Sequence, residues 1–338
     1  MILRFIRMES RAVRYLIAVV LVVAAVVGAG FAWVHAPLTM ASTTVDVSIE
    51  PGTGVRDVAR TVAASGIDVQ PDLLYWWFRL SGKSRLIRAG SYELGAGTTP
   101  LSLLQKLVRG DEALRAVTLV EGWTFRQARQ ALAKADGLRA ESASLSDEAL
   151  MSALGRPGQH PEGRFFPDTY TYSKGSSDIA VWMRALHAMD KHLEAAWSLR
   201  NPAISLQSAD QALVLASIIE KETGKTADQP LISAVFHNRL LLGMRLQTDP
   251  TVIYGLGERF DGNLRRSDLQ TDTPYNTYTR AGLPPSPISL PGKSALIAAV
   301  RPQASKALYF VARGDGSSQF SATLDEHNRA VDKYQRGR

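Results

Sequence analysis

The 338-residue chain contains no cysteine. That excludes disulfide bonds, a thiol nucleophile and any thiolate-ligated metal, leaving histidine and carboxylates as the only protein ligands a metal could use. Histidine is scarce too: six residues, no His-Glu-x-x-His, and a spacing of five between His187 and His192 that does not put two ligands on one helical face. No metal or other cofactor is expected. Internal repeats and low-complexity tracts are also missing.

Formal charge from Tyr15 to Val34 is missing as well. These twenty residues are mostly Val, Ala, Leu and Ile, and as a helix they span about 30 Å, the thickness of a bilayer's hydrocarbon core. A soluble helix of that length would carry a polar stripe. Arg4, Arg7, Arg11 and Arg14 precede it against the single acid Glu9, and Asp46 is the nearest formal charge after it. This asymmetry predicts a cytoplasmic tail over 1–14, a transmembrane helix over 15–35 and an extracytoplasmic remainder, with Tyr15 and Trp33 at the interfaces. A cleaved signal peptide is the competing reading, and Pro37 after Val34-His35-Ala36 speaks against it.

The formal charge is +7, of which the four arginines less Glu9 in the tail supply three. The remainder is too mild for a nucleic-acid footprint but suits anionic lipid headgroups or an anionic wall polymer.

About 300 residues follow, enough for two domains. A compact module is expected over 44–112. Thr44 to Ile49 alternates like a strand, Glu50-Pro-Gly-Thr-Gly turns, and apolar residues at Val58, Ala59, Val62 and Ala63 follow helical spacing. A second helix over Pro71–Leu80 carries Tyr75, Trp76, Trp77 and Phe78, Arg88 to Leu94 returns as a strand, and Pro100 opens a helix ending near Gly110. This strand–helix–helix–strand order resembles small glycan-binding LysM modules; the aromatic run can serve as core or as a sugar platform. The rest, 113–338, is expected to be a larger mixed domain, with Thr124 capping a helix and a loosely packed helix over 140–159.

The most informative segment is Ala212 to Gly224, where Ala212 to Ile219 are almost wholly apolar and predict a helix buried around most of its circumference, stopped at Gly224. Glu220 follows Ala216 and Leu213 on one face, so burial should raise its pKa and keep it protonated, as a general acid requires. Glu222 diverges from it by about 200°. Either carboxylate could instead be a helix-end ion-pair partner. Further on, His237, Asn238, Arg239, Gln247, Asp249, Tyr275, Asn276 and Tyr278 accompany Pro284, Pro285 and Pro287. Rigid loops lined with rings and amides suit oligosaccharides.

Glu121-Gly-Trp-Thr, Glu162-Gly-Arg-Phe-Phe-Pro-Asp-Thr-Tyr, Ala216-Ser-Ile-Ile-Glu-Lys-Glu-Thr, Phe236-His-Asn-Arg-Leu, Leu246-Gln-Thr-Asp-Pro-Thr-Val-Ile-Tyr-Gly, Pro274-Tyr-Asn-Thr-Tyr and Gly282-Leu-Pro-Pro-x-Pro-Ile occur in this order. Over nearly its whole length the chain thus resembles the MltG (YceG-like) family of endolytic murein transglycosylases. It departs at Ser317-Ser-Gln-Phe-Ser, where many members carry a Gly-His pair.

The resemblance implies an α+β protein with a single N-terminal transmembrane helix, a LysM-like module and a catalytic domain that cleaves the MurNAc-GlcNAc bond within glycan strands, leaving a 1,6-anhydro end. It implies an inner-membrane protein with a periplasmic catalytic domain, acting on nascent peptidoglycan strands beside peptidoglycan synthases. The family's catalytic Glu falls on Glu220. Gln247, Asp249, Tyr275, Asn276 and Tyr278 are the expected substrate-binding residues, with Arg239 either contacting a substrate carboxylate or pairing with Glu222. One carboxylate suffices because the substrate's own C6 hydroxyl attacks. A hydrolase would need a second one about 5–9 Å away, for which Asp249 and Glu222 are the candidates; a non-catalytic wall-binding scaffold would need neither.

Overall fold

The computed structural model describes residues 2–337, and for residues 2–12 the backbone alone, so the tail side chains Arg4, Arg7, Glu9 and Arg11 lie outside the described set. The chain is a mixed α+β protein that separates into two compact units, 1–115 with 173–175, and 116–172 with 176–338.

The first unit opens with α1 (Ile2–His35), whose Val13–His35 stretch is long and apolar enough to cross a membrane. Then come β1 (Thr39–Met40), β2 (Thr44–Ile49), α2 (Val55–Ala64), β3 (Ile67–Asp68), α3 (Pro71–Leu80), β4 (Gly90–Gly95) and α4 (Pro100–Arg109). Alternation along β2 puts Val45, Val47 and Ile49 inside, and β2 pairs antiparallel with β4 from Thr44↔Gly95 to Ile49↔Gly90. Phe78, Leu74, Tyr92 and Leu103 complete that core. Local chemistry bounds α4 at both ends. Thr99 and Ser102 form a capping box, Pro100 fills the first turn, and Gly110 takes the left-handed conformation at φ 73°.

The second unit holds most of β5 (Leu114–Thr118) and of β6 (Thr169–Ser173), with α5 (Phe125–Ala133), α6 (Asp147–Ala153) and α7 (Asp178–Ser198). It continues with α8 (Ala209–Glu222), α9 (Gln229–Leu241), α10 (Asp249–Leu256), α11 (Arg266–Gln270) and α12 (Lys293–Val300), and closes with β7 (Tyr309–Ala312), β8 (Ser318–Ser321) and α13 (Leu324–Gln335). The single helix expected over 140–159 is broken. A short turn at Glu141–Ser144 precedes α6, because Ser146 caps a new start by accepting from Ala149 N. The turn is held from outside: buried Asp178 accepts from the Ser142 hydroxyl and amide, and the Trp182 indole donates to Ser142 Oγ at 3.1 Å. Trp182, Phe165 and Phe125 form one aromatic core, with the first two rings 4.5 Å apart.

A second core surrounds α8. All eight residues from Ala212 to Ile219 are buried, as their composition requires, and α8 packs against α7, α9 and α12. Thr223 ends it in an extended conformation, and Gly224 does not adopt the left-handed turn expected of a glycine stop. Ser217, fully buried on α8, ties the helix to the loop before α12: its hydroxyl accepts from Ile288 N at 3.0 Å, and its carbonyl accepts from Ser289 Oγ at 3.0 Å.

Replacing Ser217 by alanine strands the Ile288 N–H in the core. A loss of about 1–3 kcal/mol is expected in urea unfolding, an ordinary buried-donor penalty; an unchanged midpoint would mean that the loop moves to satisfy this amide elsewhere.

Candidate active site

Two carboxylates project in different directions from the last turn of α8. Glu220 is half-buried, and its Oε2 accepts from Gly292 N at 2.9 Å, the residue that caps α12. Burial pushes its pKa up most, the Gly292 amide pulls it down, neighbouring Glu121 raises it and Lys221 lowers it; the net direction is upward. This is the acid that the apolar helix implied, at the place where the helix meets the loop before α12.

Glu121 is the carboxylate that sequence reasoning missed. Asp249 and Glu222 were the expected neighbours of Glu220, yet Glu121 is the acid whose charge acts on it. Its carboxyl packs so tightly on Gly292 that a Cβ there would lie 1.9 Å from Glu121 Oε1. The Glu121 loop is clamped from two sides. Gly122 N donates to Leu290 O at 2.9 Å, Leu290 N donates to Trp123 O at 2.7 Å, and Lys221 Nζ reaches Gly122 O at 3.2 Å. A groove of about 590 Å³ opens beside Glu121, lined also by Gln229, Lys293, Ile297 and Arg301. Glu162 is the second missed acid. It is buried, accepts from Phe125 N at 2.8 Å and bonds the Tyr254 hydroxyl, and burial raises it to about 7. The available signal was the repeated Glu-Gly pair: Gly122 and Gly163 both adopt left-handed φ, 75° and 76°. At Gly163 a Cβ would also lie 2.4 Å from Pro287 Cβ.

Glu222 faces the other group of expected residues. The Thr248 hydroxyl donates to its Oε1, and burial pushes its carboxyl up to about 7, with Asp249 adding to the rise and Arg239 opposing it. Asp249 Oδ1 accepts from the Tyr278 hydroxyl at 2.6 Å. Gln247 stands at φ 50°, the only non-glycine with positive φ among the described residues, a strained position that its neighbours impose. Its amide donates to Thr277 O at 3.1 Å, and its side-chain oxygen lies 3.4 Å from Arg239 Nη1.

The fold thus gathers Asp249 and Tyr278 around Glu222, while Gln247 lies against Arg239. Tyr275 belongs to a separate cluster, its hydroxyl 2.7 Å from Ser286 Oγ and its ring 4.8 Å from that of Tyr254. Arg239 is buried. It donates to Leu308 O at 2.7 Å and Leu246 O at 2.8 Å, so its hydrogen bonds go to carbonyls rather than to Glu222. Asn276 is fully enclosed, with its amide donating to the Asp268, Leu269 and Thr271 carbonyls. Both are spent on backbone carbonyls of the loops. His237 is likewise internal, bridging Ser205 and Ala299 O, and burial lowers its pKa. Among the described residues no group of three or more His, Asp and Glu side chains could hold a metal ion.

Comparison with known proteins gives a consistent pattern. A model of the YceG-like family matches residues 47–333. The chain is 32% identical over 311 residues to an endolytic murein transglycosylase of Bacillus subtilis (strain 168), covering 86% of this chain and 85% of that protein. It is 28% identical to an endolytic murein transglycosylase of Streptococcus pneumoniae (strain D39), covering 86% of this chain but 58% of that longer protein. A crystal structure of a yceG-like protein from Listeria monocytogenes superposes with a TM-score of 0.55 at 29% identity, covering 85% of this chain and 98% of that one.

The raised carboxyl of Glu222 carries a stability signature. The folded state keeps its proton between the ordinary 4.5 and about 7, so this contribution is complete below about 4.5 and is lost as pH climbs through about 7. Glu222→Gln, which cannot ionise, should therefore gain on the parent between about pH 4.5 and pH 7, by at most about 3 kcal/mol in calorimetric unfolding. A constant difference between the two proteins across that range would mean that Glu222 titrates normally.

Proposed function

This chain belongs to the YceG-like family, and on that premise we propose that it is an endolytic murein transglycosylase with Glu220 as its acid and base. The observation that carries the reading is a carboxyl at the end of a buried helix, its pKa raised by burial and by Glu121, and oriented by one backbone amide. In the first step Glu220 donates its proton to the glycosidic oxygen between MurNAc and GlcNAc, and the C1–O bond breaks. The MurNAc C6 hydroxyl then attacks C1, and Glu220 takes back that hydroxyl's proton. The products are a free GlcNAc hydroxyl and a 1,6-anhydro-MurNAc end, with no water consumed. The Gly292 amide and the positive end of α12 favour the ionised form needed for the second transfer.

Beyond Glu220, Asp249 and Tyr278 beside Glu222, together with Gln247 and Tyr275, are proposed to bind the strand, with Arg239 and Asn276 shaping the loops that present them. The strand–helix–helix–strand order of the first unit supports reading 44–112 as a LysM-like module and 113–338 as the catalytic domain. The apolar α1 behind four arginines supports a single-pass inner-membrane anchor with a cytoplasmic N-terminus and a periplasmic catalytic domain. That placement would bring the enzyme to nascent strands and to the synthases that make them. Glu121 favours a second reading, a hydrolase of the same bond, because it is a neighbouring carboxylate that could activate water.

Mass spectrometry of glycan strands digested with the full chain separates the two. Fragments lighter than hydrolytic ones by one water, diminished about 100-fold or more in Glu220→Gln and retained in Glu121→Gln, are expected. Full-mass reducing ends that require Glu121 would establish the hydrolase. No cleavage by the folded full chain in membranes would point to a wall-binding scaffold.

A further inference from the structure

Helix α3 carries two apolar faces where a module in water needs one. Leu74 and Phe78 point into the core and are fully buried. Leu73, Trp76, Trp77 and Leu80 recur at the one-, two-turn spacing of a second stripe, roughly 100° around the helix. Leu73 is 47% exposed, Trp76 54% and Leu80 81%. An uncovered stripe of two leucines and a tryptophan calls for an occupant.

What borders the stripe indicates which occupant. A groove of about 540 Å³ runs along it, and its opposite wall is formed by Val27, Phe31 and Val34 from the last turns of α1. The surface of α3 is therefore continuous with that of the apolar helix. From Val27 to His35 is about 12 Å of helix. A segment packed along this stretch stands at the depth where interfacial helices bury their apolar side, about 5–10 Å into the headgroup and acyl boundary. Tryptophan favours that zone, and exposed Arg79, Lys83 and Arg85 follow within reach of lipid phosphates. A sugar platform would pair its rings with free hydrogen-bonding groups. Here the leucines offer none, and the Trp77 indole N–H is already engaged with Pro100 O at 3.1 Å.

We propose that the Leu73, Trp76, Trp77 and Leu80 face of α3 docks into the lipid interface at the point where α1 leaves the bilayer. This rests on the reading of α1 as a membrane span. It gives the first unit a second attachment to the membrane, so that this unit lies on the lipid surface instead of swinging from a single tether.

The absence of cysteine makes the test direct, since any introduced cysteine is the only labelling site in the chain. Nitroxides would be attached in the full chain, reconstituted in vesicles containing anionic lipid, at Leu73→Cys and Leu80→Cys on α3. Val23→Cys within α1 serves as the lipid control. Glu50→Cys serves as the water control, because it lies beyond the end of β2, about 20 Å of strand from Thr44. Electron paramagnetic resonance then compares collision with dissolved oxygen, which concentrates in lipid, and with a water-soluble nickel chelate.

The expected result is an oxygen-to-nickel ratio at positions 73 and 80 several-fold above that at position 50 and approaching that at position 23. Water-like ratios at 73 and 80 with a lipid-like ratio at 23 would overturn the docking while leaving the anchor intact. A water-like ratio at 23 would overturn the anchor and the docking with it. Positions 73 and 80 shielded from both reagents would mean that protein or glycan covers the face, which also overturns the proposal.

Discussion

The burial of eight consecutive residues of α8, Ala212 to Ile219, is the constraint from which the site follows. Eight consecutive buried residues leave this helix no solvent face, so α7, α9 and α12 must close around it. Beyond these eight residues, its last turn is where charged side chains stand again. Two acids occupy that turn, and because they are two residues apart they leave it in different directions. Glu220 meets the Gly292 amide at the start of α12, and Glu222 meets Thr248. Ser217 fixes the register between α8 and the loop through Ile288 and Ser289, so the distance from Glu220 to Gly292 is set by the core.

Two acids on one turn thus meet different surroundings. Both are raised by burial, but Glu222 is hydrogen-bonded to an internal threonine and flanked by Asp249, Tyr278 and Arg239. Glu220 meets a backbone amide, a second carboxylate and a lysine, and a groove about 590 Å³ in volume opens beside that second carboxylate. An acid that must give up a proton and recover it needs opposing influences of this kind, since burial alone would lock the protonated form in place.

The first unit obeys a different constraint. Its core is filled by one side of α3, and the other side is left apolar beside the end of α1. In water that pattern would be a liability. Beside a membrane it becomes a means of orientation, because lipid solvates what the module's own core has no room for.

The sequence by itself determined the features that depend on short-range order. Among them are the length and apolarity of α1, the bounds of α3, α4 from Pro100 to near Gly110, and the burial of Ala212 to Ile219 in α8. It also singled out Glu220 as a carboxyl on an apolar face, because a helix's period fixes which neighbours share that face. Only the tertiary structure decided who surrounds it. Glu121 lies 99 residues before Glu220 and Gly292 lies 72 after it, and no local pattern reports a meeting across such separations. The break in the expected 140–159 helix came from Asp178 and Trp182 gripping Ser142, again from outside the segment. Whether Arg239 and Asn276 faced a ligand or the loop interior was likewise undecidable from their identity. The same donors serve either purpose, and the choice rests on which carbonyls the folded chain brings within reach.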